Sequence, residues 1–318
     1  MRASLRTEGA EVPALSSTVS RVARAVLTNQ VARYAPATYV RLTGQTGRGA
    51  AAEEGASDIA RYFRECVADY AQRLDIPAEQ WGTWLDGKVV MEYGPGDLPG
   101  VAALLVGRGA RKVYCVDRFP LVNLSAKNWR VMAGLAAGED EPSRGRLTAC
   151  LRPQDPAHGG FDPARIEYLV RPSGLSRLDC AVDLVISRAV LEHVNDLEAT
   201  FSDMERAMRP GALAVHLVDL RSHGLHMQNP LDFLTWSPRM WDWMYSHKGV
   251  PNRWRIDRYR DIVARLPVDV LALEPTRLAS MQEVSAVRAQ LPESFHGLAD
   301  DDLRCLGFWL VFRKKGLA

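Results

Sequence analysis

"VVMEYGPGDLPG", residues 89–100, passes directly from a β-branched apolar run into a corner made of glycine and proline. Such a run, bounded by turn residues, reads as a short buried strand with an abrupt end. Gly94 and Gly96 in that corner admit two readings. The strand simply has to turn, or the backbone is kept bare so that a ligand can lie against it, since a Cβ would hold the ligand away. The third glycine of the dinucleotide fingerprint is missing from its usual place, because Leu98 and Pro99 precede Gly100. By itself the corner leaves both readings open.

The residues that follow favour the second. "VAALLVGRGA" is helical in composition, and "KVYCVD" is another short apolar run that ends on Asp117. An acid at the end of the second strand, about twenty residues beyond the glycines, can accept both hydroxyls of a ribose. Strand, glycine turn, helix, strand and acid together point to a nucleoside site. Further strands are expected at "RIEYLV", "AVDLVISRAV" and "LAVHLVDL", with a helix over "LEATFSDMERAMRPGA" stopped by Pro-Gly, and two final strands at "VDVLALEP" and "LGFWLVFRKK". The segment 138–165, rich in Gly, Pro and charge, is expected to carry little regular structure. Strands alternating with helices imply a doubly wound, mostly parallel α/β sheet with right-handed crossovers.

Ahead of the first strand, residues 1 to about 15 read as disordered and Ser17 to Ala35 as a helix. A polar loop, "LTGQTGRGAAAEEGAS", then leads into "DIARYFRECVADYAQRL". There Ile59, Phe63, Cys66, Val67 and Tyr70 form one helical stripe, which reads as core packing. The expected organisation is an N-terminal helical extension over 1–85 and an α/β domain over 86–318.

Bulk properties exclude several classes. A formal charge of +2 gives no support to a general polyanion binder. The five scattered cysteines form neither a CxxC pair nor a Cys/His cluster, so no zinc site or disulfide framework is indicated. No run approaches the roughly 20 apolar residues of a membrane span, and the N-terminus lacks the apolar core of a signal peptide. A cytoplasmic protein is the expectation.

"VVMEYGPGD", "VYCVD" and above all "VDLVISRAVLEHVNDLEATFSDMERAMRPGALAVHLVD" together resemble the class I S-adenosylmethionine-dependent methyltransferases, most nearly their broad type 11 group. The likeness covers about residues 86–220 and implies a seven-stranded sheet with S-adenosylmethionine as cofactor. It implies that Glu92, Gly94, Pro95 and Gly96 flank the methionine moiety. Asp117 would bind the ribose and Arg118 would edge the adenine. Ser187, Arg188 and Ala189 would line the methyl donor's channel, with Glu192 and His193 closing that wall. The acid that usually contacts adenine after the third strand is not evident, since only Ser173 and Gly174 stand nearby.

Methyl transfer from a sulfonium asks mainly for alignment, with a base to help a neutral hydroxyl acceptor. The base candidates are His193 after the fourth strand, and Asp219 and His223 after the fifth. His216, inside the fifth strand, reads as structural. No metal is expected, as lone acids such as Asp219 do not make an oxygen cage.

After the fifth strand, residues 221–262 form an expected helical insertion rich in aromatic residues and arginine. One reading is a buried aromatic seam with an arginine-studded face. The other is an acceptor pocket, since aromatic faces stack on sugars and arginine forks suit carboxylates. On the second reading Trp236, Trp241, Tyr245, Arg253 and Arg255 contact the acceptor, and Tyr34, Tyr39 and Arg41 close over the mouth. The looser likeness of "SHGLH…NRWR" to methyltransferases of bacterial glycan and natural-product pathways implies O-methylation of a small, saccharide-like or anionic acceptor. A homodimer is compatible with the N-terminal helices.

Other functions weigh less. A non-catalytic binding subunit of the same fold would keep the donor pocket alone. An NAD-linked oxidoreductase or epimerase would need the missing glycine and a Tyr-x-x-x-Lys pair. Nucleic-acid methylation is disfavoured by the near-neutral charge and by "NPLD" at Asn229, which breaks the amino-methylating motif.

Overall fold

The computed structural model describes residues 15–43, 54–123, 125–226 and 228–316. The disorder expected up to about residue 15, and most of the polar loop at 42–57, lie outside them. Among the described residues, four α-helices precede the sheet: α1 (Leu15–Tyr34), α2 (Pro36–Thr43), α3 (Ala56–Arg73) and α4 (Trp81–Leu85). Then follow β1 (Val89–Tyr93), α5 (Gly100–Gly107), β2 (Lys112–Asp117), α6 (Ala126–Ala137), α7 (Glu141–Ala149), β3 (Ile166–Val170) and β4 (Val182–Arg188). The remainder is α8 (Leu197–Ala207), β5 (Met208–Asp219), α9 (Pro238–Tyr245), α10 (Ile256–Ala264), β6 (Val268–Leu278), α11 (Met281–Arg288), α12 (Asp300–Arg304) and β7 (Cys305–Lys314).

The strands form one sheet in the order β3-β2-β1-β4-β5-β7-β6, parallel except for the antiparallel β7. Reversal of the strand order between β1 and β4 puts a topological switch at the carboxyl ends of the central strands, where ligands of open α/β sheets bind. All five residues of β1 are buried, which accounts for its largely apolar sequence, interrupted only by Glu92. Two cores cover the two faces. Ile59, Phe63, Cys66, Val67 and Tyr70 of α3 pack with α5 and α6 on one face, as the helical stripe predicts. On the other, Phe201 and Met204 of α8 meet Tyr259 and Ile262 of α10 and Phe308 and Phe312 of β7. Each fully buried side chain of that size contributes about 1.5–3 kcal/mol of transfer free energy.

Two local expectations are corrected. The segment 138–165 carries α7. Asp140 caps it by accepting from the Ser143 N–H, Glu141 and Pro142 suit a first turn, and Leu147 is buried. Of the residues that suggested a loop, Pro142 suits the first turn, Gly138 precedes the helix, Gly145 is tolerated within it, and Pro156 opens the turn at Pro156–His158. The second concerns Pro210-Gly211. Helix α8 ends before that pair, and β5 already begins at Met208, with a register shift opposite Val182/Leu184 and Gly211 at φ +80°. The pair therefore forms an irregularity in a strand rather than the cap of a helix.

Candidate active site

A cleft of about 480 Å³ opens at the carboxyl ends of β1, β2 and β4, within the size range of small-molecule sites. Its floor is the corner quoted at the outset. The Gly94 N–H donates to the Val116 carbonyl at 2.8 Å and so ties the turn to β2. Gly94 and Gly96 both adopt positive φ, +64° and +74°, which glycine reaches without a Cβ penalty. Asp117 lines the same cleft, 9% exposed. Its Oδ1 accepts from the Phe119 N–H at 3.1 Å, and burial pushes the carboxyl up to about 6.

Arg118, Phe119 and Leu121 continue that wall, with Ser173 and Gly174 of the loop after β3 facing them. Arg118 is anchored on the Asn195 Oδ1 at 2.7 Å and lies over the Phe119 ring. The β3 loop is held by Asp203 of α8, which accepts from the Ser176 and Arg177 N–H groups and from the Tyr93 hydroxyl. Burial raises the Asp203 carboxyl, but these bonds outweigh it and hold it below the usual carboxylate range. No sequence signal singled out Asp203, because its partners come from three separate segments.

The opposite end of the cleft is built from β4, the turn after it, and the insertion. Ala189, at φ +54°, leads into Val190 and the single turn Leu191–His193. Asn252 braces that turn: its N–H donates to the Glu192 carbonyl at 2.6 Å, and its Nδ2 to the Leu191 and Val194 carbonyls. His193 and His223 both line the cleft, their rings edge to face with centroids 4.9 Å apart. Burial, reinforced by the neighbouring His223, lowers His193 to about 4, and burial lowers His223 as well. Both imidazoles are neutral at pH 7. Glu192 lies beneath them, 1% exposed, and burial pushes its carboxyl well above the ordinary range. Lys248, Gly249 and Val250 close this end, with Tyr39 and Val40 of α2 above. Burial brings Lys248 down to about 8. The composition of "SHKG" did not mark it, since nothing in a linear reading distinguishes a lysine facing a cleft from one facing solvent.

Other expected site residues stand elsewhere. Glu92 is buried against the α3 side, beside Cys115 Sγ. Ser187 Oγ is bonded to His216 Nδ1 at 2.8 Å inside the sheet, and Arg188 pairs with Asp69 of α3 at 2.6 Å. None of the three lines the cleft. Asp219 also stands back from it: burial raises its carboxyl, but hydrogen bonds from Arg221 hold it below the usual range. His223 Nε2 lies 3.7 Å from it.

The insertion is mostly a packing unit. Trp241 joins Phe233, Leu234, Val284, Val287 and Phe295 in a third core, with Trp236 and Tyr245 packed on its margin. Arg253 lies over the Trp241 ring and donates to the Leu234 and Trp236 carbonyls. Arg255 is fully buried and donates to the Leu220, Leu303 and Cys305 carbonyls. These five residues are outside the cleft. The two arginines spend their forks on backbone oxygens, so their type reflects loop closure. Of the residues expected to cover the mouth, Tyr39 does line it, whereas Tyr34 and Arg41 are exposed. The cover is fixed by Asn29 of α1, whose Nδ2 donates to the Asp242 and Trp243 carbonyls and whose Oδ1 accepts from the His247 N–H at 2.9 Å.

A family model described as a methyltransferase domain matches residues 61–266, well over half of the chain. The chain belongs to that family. Its cofactor is S-adenosylmethionine, and the cleft fits it: a backbone turn without Cβ atoms, a strand-end carboxylate and an apolar wall converge there. Among solved structures, this methyltransferase is similar to an S-adenosylmethionine-dependent methyltransferase from Mesorhizobium loti. The two share 19% identity over 77% of this chain and 96% of the other, with a TM-score of 0.43. It is also similar to phosphoethanolamine N-methyltransferase 2 of Haemonchus contortus, determined with S-adenosyl-L-methionine, at 15% identity over 78% and 53% and a TM-score of 0.39. Likenesses of that size concern the fold and say nothing of the acceptor. No curated protein matches the methyltransferase. Among its described residues, no helix is long and apolar enough to cross a membrane.

Proposed function

We propose that this methyltransferase O-methylates a small acceptor that is saccharide-like or anionic. The observation that carries the reading is the pair of neutral imidazoles, His193 and His223, facing the same cleft as Asp117. Asp117 accepts the ribose hydroxyls, the Gly94–Gly96 corner takes the methionine side, and Arg118 with Phe119 takes the base. When bound, the cofactor supplies an electrophilic methyl carbon on a sulfonium. The remaining end of the cleft, between His193, His223, Lys248 and Tyr39, is then the acceptor's place.

A hydroxyl nucleophile has to lose its proton as the new bond forms, and a neutral imidazole within hydrogen-bond reach suits that need. Its partly buried ammonium makes Lys248 a complement for a carboxylate or phosphate on the acceptor. Enclosure by Tyr39 and Val40 keeps water from competing for the methyl group.

Incubating the purified protein with labelled S-adenosylmethionine and panels of sugars, hydroxy acids and amines tests the reading. Transfer to hydroxyl oxygens is expected, lost in His193→Ala. Transfer confined to amines would overturn it.

A further inference from the structure

Glu192 poses a problem that the proposed proton transfer does not solve. It is 1% exposed, yet neither carboxylate oxygen has a hydrogen-bond partner. Buried carboxylates without partners are costly, and those that persist in proteins are paired or bound to a cation. Two imidazole nitrogens stand close by. His193 Nε2 lies 3.6 Å and His223 Nε2 4.0 Å from Glu192 Oε1. One ligand atom from each of the three residues falls within 4.8 Å of the others.

These separations are too long for hydrogen bonds, but they suit atoms that share an ion. Ligands about 2.0–2.2 Å from a tetrahedral zinc ion stand ~3.4 Å apart, so the two Glu192–imidazole distances need to close by less than about 1 Å and no pair by more than about 1.4 Å. Two imidazoles with one carboxylate are borderline ligands, which select first-row divalent ions over magnesium or calcium. Three protein ligands also leave coordination positions open, as in catalytic rather than structural sites. The turn that carries Glu192 and His193 is braced by the three Asn252 bonds, and so is preorganised. Both imidazoles border the cleft, so the open positions face the acceptor.

We propose that Glu192, His193 and His223 bind a divalent transition ion, of the zinc or manganese type, at the acceptor end of the cleft. The sequence reading expects no metal, because Glu192-His193 and His223 lie far apart in the chain and match no ligand spacing. The role of the ion rests on the O-methylation reading. Its open positions hold the acceptor oxygen, whose proton passes to solvent. The O–CH3 bond forms as the S–CH3 bond breaks, and S-adenosylhomocysteine leaves. With the ion bound each imidazole acts through it; in the ion's absence a neutral imidazole takes the proton directly.

The test uses full-length, untagged protein stripped with a chelator. Titration with Co²⁺ is expected to give visible d–d absorption that saturates at one equivalent, and Zn²⁺ is expected to displace it. Glu192→Gln keeps the shape of the side chain, while His223→Ala changes a half-exposed loop residue. Each is expected to weaken Co²⁺ binding at least about 100-fold with circular dichroism unchanged. Wild-type protein without the spectrum, or unaltered affinity in the folded variants, overturns the site. Binding of S-adenosylhomocysteine, measured on the same stripped protein, separates the two readings. If the cofactor product binds and Co²⁺ does not, the metal site alone fails. If Co²⁺ binds and the product does not, the donor pocket is misassigned and the metal site stands. Transfer to hydroxyls at the full rate by stripped protein overturns the role of the ion.

Discussion

The side chain of Val190 fills the space that a Cβ on Gly94 would need. Gly94 also sits at φ +64°, so two separate penalties oppose any larger residue. The glycine therefore lets the end of β1 and the turn after β4 pack together, and Gly94 and Val190 both line the cleft.

Gly94→Ala is accordingly expected to cost about 1–2 kcal/mol for the left-handed backbone and about 1–3 kcal/mol for the overlap. Adding Val190→Ala should recover the overlap but not the backbone part. Urea unfolding of both variants, with S-adenosylhomocysteine titrations, checks this. Equal stability of the single variant and the wild type would contradict the geometry.

If Asp117 holds the ribose as proposed, cofactor binding is pH-dependent. Its carboxyl is raised from 3.8 to about 6, so the folded state holds that proton more tightly than the unfolded chain. Between those values stability falls as pH rises, and the cost is constant above them. Binding follows the opposite sense, because accepting two ribose hydroxyls needs the ionised form. The Kd for S-adenosylhomocysteine should be flat above about pH 6 and rise by up to ~tenfold per unit below it. Asp117→Asn should bind weakly and lose the step. A wild-type Kd independent of pH between 5 and 7 would refute the assignment.

His216 carries the reverse sign. Burial lowers it from 6.5 to about 3, so it is neutral in the fold while the unfolded chain takes up a proton. Its contribution is whole above 6.5 and is lost as pH falls toward 3. Between pH 7 and pH 5 the loss is about 2 kcal/mol. The double variant Ser187→Ala, His216→Leu removes the titrating group and its hydroxyl partner together. Its unfolding free energy should change less between the two pH values than that of the wild type.

Arg255 separates packing from acceptor binding. Truncation to Ala leaves the Leu220, Leu303 and Cys305 carbonyls without their donor. Unsatisfied buried groups of this kind cost about 1–3 kcal/mol each, so a loss of at least ~3 kcal/mol is expected by denaturant unfolding. A variant of normal stability with a raised KM for the acceptor would instead restore the role that the sequence suggested.

The sequence by itself determined the sheet and, in Gly94, Gly96 and Asp117, part of the lining of the cleft. Val89–Tyr93, Gly94, Gly96 and Asp117 are close in the chain, and their pattern follows from local rules: a buried strand, a turn without Cβ atoms and an acid at a strand end. Helix α7 escaped because Pro142 and the mid-helix Gly145 read equally well as loop residues, and only the burial of Ser143 and Leu147 tells the two apart. The end of the cleft opposite Asp117 was decided by the tertiary structure. Arginine and tryptophan have the same composition whether they grip a ligand or close a loop, and the partners of Arg253, Arg255 and Trp241 come from distant segments. Folding also placed His223 against Glu192-His193 and set Lys248 into the cleft. Those positions depend on where two loops from different strands meet, and spacing along one chain does not encode that meeting point.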